Sequence, residues 1–328
     1  MYNQTESILG QYEMEIRQVS KGRGSYICDT DKGKKILMSF RGSPERGDAL
    51  KGYLEQLLAY GFDVEQIVTN KEGSSVSVDE ASGERFLLKD YWGGGELNPS
   101  KEEDIKKGAS LLAEYHTAAL GFSDEWITQK LSERGQPMLE VKHRHYRELI
   151  KIRNHIRGRK KKNEFERKFL ECSTPLIEAA EKSLKILELQ DTENMDVCFC
   201  HGDYNQHNIV QSDGRWKIIN YENVYWGSPM EDLANFMRKV LEKNQWNIHL
   251  AENILKMYDA KRHISKKELQ LLYALLLFPE RFWKITNHYM NSHKAWVSGR
   301  DIEKLEKVVI QEPDRIKFLE NLFPFSEE

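Results

Sequence analysis

His201-Gly202-Asp203-Tyr204-Asn205-Gln206-His207-Asn208, followed by Lys217-Ile218-Ile219-Asn220-Tyr221-Glu222, is the stretch whose reading decides the fold. Its first half has the spacing of a phosphotransferase catalytic loop. There an Asp takes the proton from a substrate hydroxyl, and an Asn five residues on holds a metal ion beside the nucleotide phosphates. Gly202 lets the backbone turn tightly at the end of a buried strand and present the Asp203 carboxylate to a cleft. Asn208 is expected on the following strand. The second half falls where such enzymes place the Asp that carries the main Mg2+, and here that position is the amide Asn220. Two other readings compete. Asp203 and Asn208 can serve as side-chain caps of a polar turn, and His201, Asp203 and His207 are ligand types that suit zinc. Hydrophobic strands on both sides of the loop favour the phosphotransferase reading.

Outward from this loop, the chain of 328 residues is long enough to bury a substantial core, and 31% charged with 39% hydrophobic residues is a globular composition. The net charge of -3 gives no global field that argues for nucleic acid or membrane. Residues 1–12 are polar and carry no signal-peptide core. The longest apolar stretch, Leu271 to Phe278, has buried-helix length. Cys28, Cys172, Cys198 and Cys200 form no Cys-x-x-Cys pair. Cys198 and Cys200 share a strand face leading into His201, a conceivable zinc site but more simply two buried thiols in a reducing compartment.

Residues 14–40 alternate and turn like a β-hairpin with a further strand, and Leu50, Leu54, Leu57 and Leu58 mark a helix over 44–60. Strands are expected near Gln66-Ile67-Val68, Ser75-Val76-Ser77-Val78 and Arg85-Phe86-Leu87-Leu88. The cluster Gly93-Gly94-Gly95 is the natural hinge into a region that reads almost wholly as helix. Short strands bracket the catalytic loop. The basic run Arg157-Gly158-Arg159-Lys160-Lys161-Lys162 reads as a solvated connection rather than an anion or nucleic-acid site. Tyr221, Tyr225 and Trp226 read as packing rather than as fillers of a nucleotide space, and Trp283, Tyr289 and Trp296 as core.

These motifs, with Gly227-Ser228-Pro229-Met230-Glu231-Asp232-Leu233-Ala234, resemble the aminoglycoside phosphotransferase and choline kinase superfamily of protein-kinase-like folds. Leu112-Ala113-Glu114-Tyr115-His116-Thr117-Ala118-Ala119-Leu120-Gly121-Phe122, Tyr91-Trp92-Gly93-Gly94-Gly95-Glu96 and Leu277-Phe278-Pro279-Glu280-Arg281-Phe282-Trp283-Lys284-Ile285 narrow the resemblance to the CotS-type spore coat proteins of endospore-forming bacteria. The resemblance covers nearly the whole chain. It implies an α+β, two-lobed protein-kinase-like fold, with a small β-rich N-lobe over residues 1–92 and a helical C-lobe over 93–328. It also implies Asp203 as catalytic base, Asn208 as a metal ligand, and His201 and Asp232 as supports of the loop. If the chain is active, its cofactors are ATP and Mg2+.

Two positions depart from that pattern. Asn220 replaces the metal-carrying Asp. A carboxylate about 4 Å from a divalent ion is worth roughly 8 kcal/mol gross at an effective dielectric of 20. A residual of about 3 kcal/mol would already cost some two decades in rate. Glu222, two residues on, is a substitute carboxylate, so Asn208, Asn220 and Glu222 make up the candidate metal set. The strand Lys that holds the α- and β-phosphates falls on Met38. Lys35 is expected to point to the opposite strand face, Lys34 is an alternative under a register slip, and Lys89 is expected at a solvent-facing strand end. The short turn Lys21-Gly22-Arg23-Gly24-Ser25 lacks a full glycine loop.

The expectation is a spore coat protein with a degenerate, pseudokinase-type site. It would be found in the mother-cell cytoplasm and spore coat, and would act through contacts with other coat proteins, without membrane or nucleic-acid partners. An active ATP-dependent phosphotransferase using Asp203, and a non-catalytic module binding a nucleotide or sugar-like ligand, are the alternatives.

Overall fold

The computed structural model describes residues 2–22, 24–132, 137–190, 195–292 and 299–323. Trp296 and Arg23, which entered the reading above, lie outside them. The chain has a β-sheet N-terminal region and a largely helical C-terminal part. It divides into two compact units: Met1–Asn98, Glu103–Gly135 and Val197–Trp226 form one, and Pro99–Glu102, Gln136–Asp196 and Gly227–Glu328 form the other. This division does not follow the expected 92/93 boundary. The reason is local hydrogen bonding, because the strands after the catalytic loop pair with residues just beyond position 92.

In the first unit, α1 (Tyr2–Leu9) precedes β1 (Ile16–Lys21), β2 (Ser25–Thr30) and β3 (Gly33–Ser39), and α2 (Pro44–Ala59), β4 (Ser77–Val78) and β5 (Arg85–Asp90) follow. The strands form one antiparallel sheet in the order β1-β2-β3-β5-β4. Gly33, at φ +87°, makes the tight turn between β2 and β3 that a side chain would strain. Ser43 caps α2 by accepting from the Arg46 amide, and Pro44 opens the helix where its missing N–H costs nothing. One sheet face carries Cys28, Leu37, Phe86 and Leu88, which pack against Ile8, Leu9 and Tyr12. Ile8, Leu9 and Tyr12 are too few to show a period but enough to close this core.

The opposite face follows from register. Ile36 pairs with Lys89 and Met38 with Leu87, and directly paired residues in an antiparallel ladder share a face. Ile36, Met38, Leu87 and Lys89 thus point away from α1. Lys35 lies on the α1 side, as expected, and forms a 2.6 Å ion pair with Asp90.

The first unit continues with β6 (Gly95–Glu96), α3 (Glu102–Leu120), α4 (Glu125–Ser132), β7 (Cys198–Cys200), β8 (Ile209–Ser212), β9 (Arg215–Ile218) and β10 (Tyr225–Gly227). β6 and β9 flank β8, and β10 pairs with β7. The glycine cluster at 93–95 serves this pairing: a Cβ on Gly94 would stand 2.0 Å from the Gln211 carbonyl oxygen. Buried Arg46 ties α2 to the rest of the unit by donating to the carbonyls of Leu131 (2.6 Å) and Val224 (2.7 Å).

The second unit holds α5 (Met138–Gly158), α6 (Glu164–Glu188), α7 (Pro229–Leu241), α8 (Ile248–Asp259), α9 (Lys266–Leu277), α10 (Glu280–Asn291) and α11 (Gly299–Leu322). Capping boxes at Asn163/Glu166, Ser228/Glu231 and Ser265/Glu268 start α6, α7 and α9. The core joins Leu149, Ile156, Phe165, Phe169, Phe282 and Leu305. Trp283 stacks on His145 and Tyr289 on Phe165, so both serve packing as expected. Among the described residues, no helix is long and apolar enough to cross a membrane.

Glu280 lies 2.8 Å from Lys142 and 3.6 Å from His145. Burial alone would raise its pKa, but Lys142 and His145 outweigh it and hold the carboxyl well below the usual carboxylate range. A depressed carboxyl contributes stability that is present above its unfolded pKa of about 4.3 and lost as pH falls through the folded value. Glu280→Gln is expected to destabilise the protein by about 3 kcal/mol at pH 7. Urea unfolding from pH 7 to pH 3 should show the gap between variant and wild type closing below about pH 4.

Candidate functional site

β7 is fully buried and delivers the chain to His201-Gly202-Asp203. Gly202 has φ +78°, and a Cβ there would stand 2.3 Å from the Asn223 carbonyl oxygen, so only glycine fits. The buried His201 ring accepts from the Asp203 amide at Nδ1 (3.2 Å) and donates from Nε2 to the Ile219 carbonyl (3.0 Å). One imidazole thereby braces both the loop and the end of the β9 segment. Tyr204 anchors the loop to α3 through its hydroxyl, which donates to the Gly108 carbonyl at 2.7 Å. The Asp203 carboxylate is oriented by two amides: Asn205 Nδ2 donates to Oδ1 at 3.0 Å and Asn208 Nδ2 to Oδ2 at 3.2 Å. Asn208 ends a 3-10 turn, Gln206–Asn208, rather than lying on the strand as expected. The turn aims its side chain back at Asp203, which a strand position would not.

From Asp203 a polar chain runs inward. Asn208 Oδ1 accepts from Asn220 Nδ2 at 2.9 Å, and Asn220 Oδ1 accepts from Lys89 Nζ at 3.0 Å. Lys89 Nζ also pairs with Glu65 Oε1 at 2.6 Å and with Glu222 Oε1. The Asn220 backbone N–H donates to the same Glu65 Oε1 at 2.8 Å. Asn220 holds a left-handed conformation, φ +68° and ψ 62°, a region where Asn is several-fold enriched among non-glycine residues. The Lys89 side chain is 1% exposed, Glu65 3% and Glu222 15%, so three ionisable groups meet out of bulk water. Burial opposes the charge on Lys89, and the Glu222 and Glu65 carboxylates outweigh it and hold the ammonium above the usual lysine range. Burial pushes Glu65 up against the pull of Lys89.

This placement corrects the expectation that Lys89 ends a strand in solvent. Register turns it to the face it shares with Ile36 and Met38, where it becomes the cation of the site. Met38 supplies a thioether on that face and no charge. Asp203, Asn208, Asn220, Glu222 and His201 come together as the sequence suggests. Glu65 was missed: its one sequence signal is a carboxylate beside apolar Val64 and Ile67. Asp232 sits buried in the first turn of α7 in the second unit, where a carboxylate suits the helix dipole. Tyr221 and Trp226 pack, on Tyr115 and His201 and on Phe199 respectively.

The zinc readings are also corrected. His201 is committed to backbone groups, and His207 turns out to Glu96 at 2.5 Å, so these two and Asp203 do not converge. His116 of α3, rather than His201, stands beside Cys198 and Cys200, with all three buried and their ligand atoms within 4.8 Å of one another.

A divalent ion of the phosphotransferase kind needs oxygen lone pairs. Here Asn208 Oδ1 faces an amide N–H, while Asn220 Oδ1, Glu65 and Glu222 face an ammonium. As arranged, the donor set does not fit Mg2+.

The family model described as "Spore coat putative kinase YutH" matches residues 5–322. The curated protein "Spore coat protein S" of Bacillus subtilis (strain 168) is 23% identical over 332 residues, spanning 96% of this chain and 92% of that protein. Among solved structures, an aminoglycoside phosphotransferase from Alicyclobacillus acidocaldarius superposes with a TM-score of 0.84 at 20% identity, covering 98% of this chain and 96% of that one. Amicoumacin kinase hAmiN, solved with AMP-PNP, Ca2+ and Ami, superposes at 0.65 with 13% identity, covering 97% and 93%. The fold is thus that of kinase-like phosphotransferases.

Removing the ammonium leaves two buried carboxylates uncompensated. Lys89→Met is expected to cost about 3–5 kcal/mol in urea unfolding, and adding Glu222→Gln should recover part of the loss.

Proposed function

Because the chain belongs to the YutH spore coat family, we propose that it works in the spore coat as a kinase-like protein whose phosphate-transfer site is closed from within. It is made in the mother-cell cytoplasm and acts mainly through contacts with other coat proteins. The coat placement draws on the family and on the likeness to spore coat protein S.

One observation carries the closed-site reading: the unbroken chain Asp203–Asn208–Asn220–Lys89–Glu65/Glu222. An active site of this type offers a free cation to the nucleotide phosphates and free oxygens to the metal. In this chain each is already satisfied by the other. Opening them for ATP means breaking a buried ion pair, at a cost of several kcal/mol before any ligand contact forms.

A second reading, an active phosphotransferase, draws on Asp203 itself. Its carboxylate is half-buried and oriented by two amides, as a general base requires. ATP and Mg2+ would then be the cofactors, with Lys89 released to the phosphates and Glu222 to the metal.

Thermal shift with ATP alone, with ATP and Mg2+, and with ATP and Mn2+, alongside an ATP turnover assay, separates the two. The closed site predicts no metal-dependent shift and no turnover above that of Asp203→Ala, and spores carrying Asp203→Ala should assemble a normal coat. Metal-dependent turnover that disappears in Asp203→Ala would establish the enzyme instead. A shift that survives in Asp203→Ala without turnover would point to a ligand-binding module.

A further inference from the structure

We propose that the Lys89 ammonium is a tethered stand-in for the divalent ion: the oxygens that would hold a metal hold this side chain instead, and removing the side chain opens a cation site. The inference rests on the closed-site reading and says what closes it.

Two segments far apart in the chain bring three oxygens to Nζ: Glu65 Oε1 at 2.6 Å from one, and Asn220 Oδ1 at 3.0 Å with Glu222 Oε1 from the other. An ammonium has three N–H donors, and here all three are used, with the side-chain stem as the fourth substituent. Carboxylate and amide oxygens are also what Mg2+ and Mn2+ prefer, Mg2+ at about 2.0–2.1 Å with water completing the shell. The two kinds of cation thus ask for the same atoms and differ in charge and in bond length by less than an ångström.

Formal charge supports the exchange. Glu65 and Glu222 carry two negative charges and Lys89 one positive, so the cluster is left at -1 with the lysine and would be neutral with a divalent ion. The amide at Asn220 fits the same logic. An Asp there would set three carboxylates around a single ammonium, whereas Asn contributes an oxygen without further charge. Its other arm, Nδ2, donates to Asn208 Oδ1 and uses the lone pair that a second ion would need. The amide at 220 and the lysine at 89 are therefore coupled, each suited to the other. A monovalent resident needs one carboxylate fewer.

The test is a Mn2+ titration without nucleotide, followed by the EPR signal of the free ion, on wild type, Lys89→Ala and Lys89→Ala/Glu222→Gln. Wild type should leave the free-ion signal unchanged. Lys89→Ala should take up about one Mn2+ per chain and gain about 5 °C in Tm when Mn2+ exceeds its Kd 100-fold. Adding Glu222→Gln should weaken that uptake at least about tenfold, because half of the site's charge is gone. If Lys89→Ala is recovered only by refolding, yield with and without Mn2+ is compared: a yield that rises with Mn2+ supports the proposal, and an indifferent one overturns it. A folded Lys89→Ala blind to Mn2+ overturns it, as does Mn2+ uptake by wild type that Glu222→Gln abolishes. Asp203-dependent ATP turnover would sink the closed-site reading instead, and since it is read only with nucleotide the two failures are separable.

Discussion

A buried ammonium held by two carboxylates and an amide is the constraint on which the site depends. Lys89 cannot face solvent without breaking the pairing of β5 with β3, which turns it to the same side as Ile36. Once inside, it cannot stay charged without acids, because the desolvation penalty of an isolated ion is several kcal/mol even after relaxation. Glu65 arrives from the segment after α2, and Glu222 from the turn after β9. The lysine therefore dictates where two distant segments must lie. Such a pair is weak evidence for extra stability, since a well-packed apolar cluster often does as well. Its value here is geometric: three chain segments have one arrangement that gives the ammonium its full set of oxygen partners.

The catalytic-loop half of the site is organised by backbone conformation rather than by charge. Gly202 and Asn220 both adopt positive φ, at +78° and +68°, on either side of the His201 brace. Glycine is required at the first because the Asn223 carbonyl leaves no room for a Cβ. At the second an amide side chain is tolerated, and its two polar ends satisfy Lys89 on one side and Asn208 on the other. A carboxylate at 220 would find no donor duty to perform toward Asn208. The amide at 220 is thus an integral part of the hydrogen-bond pattern around it.

Lys89, Glu65, Asn208, Asn220 and Glu222 knit β5, the segment after α2 and the loops around β8 and β9 into one unit. The helical unit is held by independent means: capping boxes, stacked aromatics and the Glu280–Lys142 pair. Each unit so has its own core and its own polar lock.

Much of this was legible in the residues. The hairpin, α2, α3, the long helices and the catalytic loop follow from local rules: period, turn glycines and caps. Asp203, Asn208, Asn220 and Glu222 follow from spacing along one continuous stretch. What escaped was long-range. α1 has too few apolar side chains for a periodic signal, and Lys89 sits in a strand whose two faces sequence alone could not assign. Glu65 and Glu222 lie 24 and 133 residues from the lysine they hold. By itself the sequence determined that a loop of the kinase-like kind exists and that an amide stands at 220, because both are properties of adjacent residues. Only the tertiary structure decided that the Lys89 ammonium meets that amide, because the face a strand presents and the partners it meets are set by pairing between segments far apart in the chain.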